Sequence, residues 1–425
     1  MAVRPSADGV GRRIAIIGGG LGGVCSAYFL ARDGHEVTVI ERRNNVAEEA
    51  TLGNSGLIAP GASIPLATPD MARQTFYSRF RAEAPLLMPR GIDPALWRWL
   101  RQWRLECQLE HHLNNKERST RLAAYGQKMI HQLQQRYALE HENNAGVVRM
   151  FRTTRELELA LAQQEVLMRH DIPHSPLSAA QMEWFDPALA GGMLFAGDES
   201  GNCVLFAKQL KTAAQALGVQ FHFGKSVSAL RTESNGVRLE IAGSNTAFSA
   251  DAVVLSAGME SATLLKPLGI HLPLYPVQSY SGLVNIKNPE FAPKHALIDD
   301  HYRVSIAAIG NRIRIAGVAG FVSHSSEIHK KALRTMLKVA QDYFPDAANY
   351  NTAQFWSNSF ASTPHGLPLL GPTALTGVYL NLGHGANGWA STLGGARLVA
   401  DCISRKDFDI NAEDLMAARL SLNPR

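Results

Sequence analysis

Gly18, Gly20 and Gly23, spaced G-x-G-x-x-G, and the carboxylate of Glu41 at the end of the next apolar run are the residues whose types and spacing carry the most specific chemistry. Backbone without Cβ atoms can turn tightly and approach a pyrophosphate, and the N–H groups of a helix that follows face the phosphate charge. Glu41 is placed to accept hydrogen bonds from both ribose hydroxyls of an adenosine; the plain alternative is a solvated carboxylate at a strand end. A second glycine-rich run, Gly383-His384-Gly385-Ala386-Asn387-Gly388, opens a helix more than three hundred residues later. A helix N-terminus carries about half a positive charge. A nicotinamide has no evident need of a second one. A flavin does, because two-electron reduction leaves negative charge on its ring.

The flanking residues predict the elements that must hold these turns. Arg13–Ile17 reads as a buried strand, Val24–Asp33 as a helix closing at Gly34, and Glu36–Ile40 as a second strand. Residues 42–57 read as a polar loop able to lie across an extended cofactor. Ser78 to about His141 has helical periodicity, followed by a strand at Val147–Phe151 and helices near Thr154–Arg169 and Ser178–Trp184. Leu205–Leu217 reads as a helix, and Val219–Phe223, Val227–Leu230 and Val237–Ile241 as short strands. The apolar run Asp251–Gly258 suits a parallel strand buried on both faces. Strand-like runs recur over Leu274–Gly320, with alternation in Asn311–Ala316, then a helix over about Ser326–Tyr343. Gly377–Trp389 reads as strand, turn and helix start, the helix running to about Ile403. The expected fold class is α/β: a discontinuous Rossmann-like dinucleotide-binding domain with a second, mainly antiparallel sheet plus helices. The first domain is assigned 12–77, 200–262 and 352–425, the second 78–199 and 263–351, with 1–11 as a flexible N-terminus.

Composition narrows the function classes. The 425 residues are 46% hydrophobic and 19% charged, enough for an extensive core. Four scattered cysteines without a CxxC pair suggest neither a disulfide framework nor a zinc site, and the histidines lack partners at ligand spacing, so no metal is expected. The net charge of +5 is not gathered into basic blocks, so no nucleic-acid partner is indicated. No stretch approaches the ~18 apolar residues of a membrane span, and Met1–Arg12 lacks the apolar core of a signal peptide. A cytoplasmic protein is expected, with attachment to the cytoplasmic face of the inner membrane left open. That option rests on Trp97–Arg104, where Leu96, Trp99, Leu100 and Trp103 share one helical face and Arg98, Arg101 and Arg104 lie off it. Such a stripe either enters the core or meets a membrane interface.

The glycine fingerprint, Asn54-Ser55-Gly56, Leu255-Ser256-Ala257-Gly258 and Asn381-Leu382-Gly383-His384-Gly385 together resemble the D-amino-acid oxidase-like flavoproteins, nearest to the bacterial D-amino-acid dehydrogenases. Interior matches are Gly197–Cys203, Tyr275-Pro276 with Ser279-Tyr280-Ser281, Asn311–Arg314, Phe355-Trp356 and Thr363-Pro364. The resemblance spans nearly the whole chain after Arg12. It implies FAD held by Ile17, Gly18, Gly20, Leu21, Gly22, Gly23, Glu41, Arg42, Asn54, Ser55, Gly56, Val227, Ala257, Gly258, Gly383, Gly385, Ala386, Asn387 and Gly388. It also implies oxidative deamination of D-amino acids to 2-oxo acids and ammonia, with electrons passed to a quinone.

One departure bears on the substrate. Where the family carries an Arg-Pro pair whose arginine holds the substrate carboxylate, this chain has Phe360-Ala361, and Gln278 stands where relatives often have lysine. Phenylalanine offers no donor. Either the carboxylate has moved to another residue such as Arg303, or the match to the family pattern slips locally, or the substrate is an amine or N-substituted compound. Tyr280 and Tyr302 are further candidates to bind a carboxylate, each equally readable as a core tyrosine, and His384 is a candidate to face the flavin. Outside this class stand a nicotinamide dehydrogenase, with Arg42 and Arg43 on a 2′-phosphate, and a non-catalytic flavin-binding protein.

Overall fold

The computed structural model describes residues 11–417 apart from 79, 90, 92, 179–180, 182–188, 322–327 and 386–387. Most of the flexible N-terminus expected at 1–11, most of the helix expected at Ser178–Trp184, and Ala386 and Asn387 lie outside the described residues. Along the chain the strands are β1 (Arg13–Ile17), β2 (Glu36–Ile40), β3 (Leu57–Ile58), β4 (Leu86–Leu87), β5 (Asn144–Phe151), β6 (Ser175–Pro176), β7 (Gly191–Ser200), β8 (Gln220–His222), β9 (Val227–Glu233), β10 (Gly236–Ile241), β11 (Ala247–Ala250), β12 (Ala252–Leu255), β13 (Tyr275–Asn285), β14 (Ala296–Asp299), β15 (Val304–Ile309), β16 (Arg312–Gly320), β17 (Gln354–Ser362), β18 (Leu369–Pro372) and β19 (Val378–Leu382). The helices are α1 (Leu21–Arg32), α2 (Pro69–Tyr77), α3 (Pro94–Glu106), α4 (Leu109–Tyr137), α5 (Thr154–Leu161), α6 (Gln164–Arg169), α7 (Cys203–Ala216), α8 (Met259–Leu265), α9 (Lys330–Tyr343) and α10 (Trp389–Ser404).

A six-stranded sheet runs β18-β19-β12-β1-β2-β8, parallel except for the β18–β19 pair. Alternation assigns its two faces. Ile14, Ile16, Val37, Val39, Ala252 and Val254 pack under α1, α4, α7 and α10. Ala15, Ile17, Ile40, Val253 and Leu255 pack instead on the antiparallel β9–β11 meander. A ten-stranded sheet, with path β17-β13-β16-β15-β14-β5-β7-β3 and β4 and β6 beside it, is antiparallel except at β5–β14 and β4–β16. One of its faces packs on α9 through Met336, Val339 and Tyr343.

The expected boundaries need correction. Residues 354–362, assigned to the dinucleotide domain, form β17, which pairs along its whole length with β13 in the ten-stranded sheet. Helix α4, assigned to the second domain, buries Leu122, Ile130 and Leu133 in the core of the first. The helical stretch expected from Ser78 begins only at α3, because Pro85 and Pro89 cannot continue a helix and Pro94 starts one, with the Asp93 carboxylate accepting from the Ala95 and Leu96 amides. The Trp stripe of α3 enters the core: Leu96, Trp99, Leu100 and Trp103 are buried against Met71, Val277 and Phe321, and Trp99 Nε1 donates to the Ser362 carbonyl at 3.1 Å. That face is therefore not a membrane surface. Among the described residues no helix is long and apolar enough to cross a membrane.

Helices α4 and α10 approach backbone to backbone at two glycines. A Cβ on Gly126 would land on the Ala390 carbonyl oxygen, and one on Gly394 would lie 2.6 Å from the Leu122 carbonyl oxygen. Gly126→Val should therefore destabilise the protein by about 3 kcal/mol, the upper end of typical overpacking costs, read by urea denaturation; an unchanged midpoint would refute this crossing.

Candidate active site

The glycine turn after β1 is shaped by what its neighbours leave no room for. Gly18 adopts φ +104°, and a Cβ there would sit 2.7 Å from the Ser256 carbonyl oxygen at the end of β12. The helix begins at Leu21 rather than at the expected Val24, and Gly23 in its first turn lies so close to Gly18 that a Cβ would strike the Gly18 carbonyl. Gly20, Gly258 and Gly385 differ in kind. Among the described residues, a Cβ on Gly20 would meet Thr51 Oγ1 alone within 4 Å, at 3.5 Å, and one on Gly258 or Gly385 would meet nothing. Three bare backbone positions thus face open space from three strand ends, a cradle that side chains would fill.

Glu41 is buried at the end of β2 with one oxygen accepting from the Gly19 amide and the other from the Arg43 amide at 2.7 Å, which excludes the solvated carboxylate. The Lys225 amide donates to the Glu41 carbonyl at 2.9 Å, bringing the turn before Val227 to the same end of the cradle. Arg42 is bound by Glu49 and Glu260, and Arg43 by Glu49, so neither guanidinium is free for the 2′-phosphate of the nicotinamide alternative. In the loop, Asn54 Oδ1 accepts from the Gly56 amide at 2.8 Å, and a Cβ on Gly53 would come within 2.7 Å of Asn358 in β17. The loop is thus held against the ten-stranded sheet.

At the other end a cavity of about 160 Å³ is lined by Ser55, Ser279, Arg303, Phe360, His384 and Gly385, and by the strap Ala62–Leu66. His384 Nε2 lies 2.7 Å from Asn381 Oδ1, while the Asn381 amide nitrogen donates to Ser26 Oγ at 2.9 Å and to the Gly22 carbonyl at 3.2 Å. Oδ1 is therefore the acceptor, and Nε2 carries the imidazole proton. Burial pushes this histidine down to about 3, so it is neutral and a poor base at ordinary pH. Asn381, which it contacts, joins the second glycine-rich turn to Gly22 and Ser26 of α1.

The structure brings Arg303, Phe360 and His384 to one cavity and places the two tyrosines elsewhere. Arg303 holds φ +54°, a left-handed residue in the turn between β14 and β15, where Asp299 caps the Tyr302 amide at 2.8 Å. This turn sends Tyr302 to the α9 side, under the Arg152 guanidinium at 5.0 Å. Tyr280 is a core residue whose hydroxyl donates to Gln278 Oε1 at 3.1 Å, and strand alternation puts Ser279 on the cavity instead. Sequence reading missed Ser279, Ser305 and the strap. Alternation along Tyr275–Asn285 was a usable signal for Ser279; the strap, distant in sequence from the other walls, offered none.

Arg303 is the cavity's unmatched charge. Its Nη2 donates to Thr68 Oγ1 at 3.1 Å, and among the described residues it makes no ion pair. The nearby Asp300 carboxylate is taken bidentately by Arg149, at 2.9 and 2.7 Å. A cation bordering a cavity, with the adjacent carboxylate engaged elsewhere, is suited to an anionic ligand.

The sequence matches the D-amino-acid oxidase family of FAD-dependent oxidoreductases over residues 13–402. The chain belongs to this family. It is 36% identical over 420 residues to a D-amino acid dehydrogenase of Neisseria meningitidis serogroup C, covering 96% of this chain and 99% of that protein. In fold it is similar to glycine oxidase from Geobacillus kaustophilus (21% identity, TM-score 0.73, covering 96% of this chain and 99% of that one). It is likewise similar to L-proline dehydrogenase from P. horikoshii (14% identity, TM-score 0.74, covering 97% and 98%). The protein is an FAD-dependent oxidoreductase of amino acid oxidation, and the bare cradle at Gly20, Gly258 and Gly385 fits its cofactor.

Gly20→Val tests that placement. The protein itself leaves room for the side chain, so the variant should fold with an unchanged circular dichroism spectrum yet purify without flavin absorbance, because valine would occupy the pyrophosphate path. Stoichiometric flavin in the folded variant would refute it.

Proposed function

We propose that the protein oxidises D-amino acids at the Cα–N bond, giving 2-oxo acids and ammonia, with Arg303 holding the substrate carboxylate. The observation that carries this reading is the Arg303 guanidinium, without an ion pair among the described residues, on a cavity that also contains His384 and Gly385 of the second glycine turn. The relationship to D-amino acid dehydrogenases supports the D configuration. FAD, when bound, supplies the acceptor for the two electrons and hydrogen leaving Cα. The chain's own residues then bind and orient. Arg303 fixes the carboxylate, the apolar walls Phe360, Pro65, Leu66 and Val318 take the side chain and exclude water, and the resulting imine is hydrolysed to the oxo acid.

No base need be supplied by the cavity. Arg303 and His384 are its acidic or basic side chains among the described residues, the first a cation and the second neutral. Neutral substrate amine is then the reacting species, and kcat/KM should rise with pH and level off at the pKa of the substrate ammonium. Replacing the substrate by one with a less basic amine should move that inflection down by the same amount. An inflection indifferent to the substrate would assign the proton to an enzyme group instead.

A second reading is favoured by Phe360. An aromatic ring among apolar walls, where relatives of the resembling family carry arginine, suits a bulkier or N-substituted amino acid that stacks on it. Both readings keep Arg303 as anchor. Arg303→Met should raise KM for D-alanine about ten- to a hundredfold, the loss of a charge-assisted pair contributing roughly 1.5–3 kcal/mol. Ethylamine, which lacks the carboxylate, should be affected little. An equal loss for both compounds would overturn the anchor, and a strong native preference for N-alkylated over primary D-amino acids would select the second reading.

Electron transfer to a quinone-type acceptor is part of the same reading. The outer face of α3 leaves Trp97 and Leu105 each 53% exposed beside Arg98, Arg101 and Arg104, a surface suited to an anionic bilayer. Turnover with a soluble quinone should exceed turnover with oxygen, and the protein should sediment with anionic vesicles and be released by high salt. Efficient peroxide production without vesicle binding would contradict both parts.

A further inference from the structure

Three side chains spaced one helical turn apart on α4 grip a single stretch of backbone. Thr120 Oγ1 donates to the Pro60 carbonyl at 3.3 Å. Lys116 Nζ donates to the carbonyls of Gly61 at 2.7 Å, Ser63 at 2.6 Å and Pro60 at 3.3 Å. His112 Nδ1 lies 2.9 Å from the Ala67 carbonyl oxygen, and burial pushes this histidine down to about 4, so the neutral ring donates through that nitrogen. From the opposite side Asp198 of β7 accepts from the amides of Gly61 at 3.1 Å and Ala62 at 2.6 Å. Both Lys116 and Asp198 are fully or almost fully buried.

Burying an ammonium is unfavourable unless its donors are satisfied, and a fold needing only an apolar contact here would use leucine or methionine. What Lys116 does that an aliphatic chain cannot is hold three carbonyls at once. Those carbonyls and the Asp198-bound amides belong to residues 60–63, which lead directly into the cavity wall Ala62–Leu66 and on to Thr68, the hydroxyl partner of Arg303. Leu122, Ala123 and Ser119 of α4 line the same cavity. The helix therefore supplies part of the wall itself and fixes the rest through its polar ladder.

We propose that Lys116 and Asp198, supported by His112 and Thr120, are positioning residues that set the shape of the substrate cavity by clamping the strap at residues 60–67 between α4 and β7. This rests on the reading of the cavity as the substrate site. The clamp touches none of the glycines of the cofactor cradle, so its loss acts on substrate binding and leaves the cofactor in place.

The test uses purified holoenzyme carrying Lys116→Met, and separately Asp198→Asn, whose amide keeps an acceptor while losing the charge. Amide hydrogen exchange at Gly61 and Ala62 should speed up about a hundredfold in Lys116→Met, while exchange in β1 and α1 is unchanged. Flavin stoichiometry should stay at that of the native protein, KM for D-alanine should rise about tenfold or more, and kcat should change less than threefold. Asp198→Asn should show the same pattern with smaller amplitude, and it decides the matter if Lys116→Met does not accumulate as folded protein. Unchanged exchange at Gly61 and Ala62, or a loss of flavin and kcat with KM preserved, would overturn the proposal. If D-alanine and other amino acids fail to reduce even the native enzyme, the substrate reading falls, whereas the exchange measurement still decides the clamp.

Discussion

The structure depends on side chains being absent where β1, β12 and β19 end together. Gly18 can reach its left-handed conformation against the Ser256 carbonyl, and Gly23 in the first turn of α1 can pack on Gly18, only because neither carries a Cβ. The result is open space at these strand ends that side chains would fill, suited to the FAD of this family. Asn381 ties this arrangement together. Its amide bonds to α1 at Ser26 and Gly22, and its carbonyl oxygen to His384, joining two glycine turns that the sequence separates by most of its length. A histidine so held, partly buried and neutral, is a poor proton acceptor at ordinary pH.

The second sheet supplies what the first cannot. Among its cavity-facing positions Ser279, Ser305 and Ala316 are small or hydroxylic and leave room beside the apolar Ile298, Val318 and Phe360. Around that room Asp300 engages Arg149, Asp299 engages Arg152, and Arg303 is left with a hydroxyl. A cation that makes no ion pair among the described residues, at the edge of this cavity, is suited to an anionic ligand. On the proposed reading the second sheet supplies the anchor for the substrate carboxylate, while the redox chemistry belongs to the FAD of the first domain.

Local rules made the first sheet legible in the sequence. Arg13–Ile17 and the Gly377–Trp389 segment follow from apolar runs closed by glycine, Glu36–Ile40 from an apolar run that ends at Glu41, and the structure places them nearly as read. The long-range features were not legible. Nothing local to Gln354–Ser362 says that it pairs with β13 rather than joining the glycine-rich strand that follows it. The Trp stripe of α3 had the periodicity of a membrane-facing helix and a core helix alike, and its partners Val277 and Phe321 decided the matter. Tyr280 and Tyr302 had the right chemistry for a carboxylate, but strand alternation turned one away and the left-handed Arg303 turned the other. Lys116 is the clearest case: a buried lysine is recognisable only once the carbonyls it holds, more than fifty residues upstream, are in place.

The most direct measurement is anaerobic mixing of the purified protein with D- and L-alanine in turn while the flavin spectrum is recorded. Bleaching of the bound flavin by the D enantiomer, with the L enantiomer inert, is the result this account predicts. Bleaching by the L enantiomer, or an unchanged spectrum with a panel of D-amino acids and their N-alkylated forms, would contradict it.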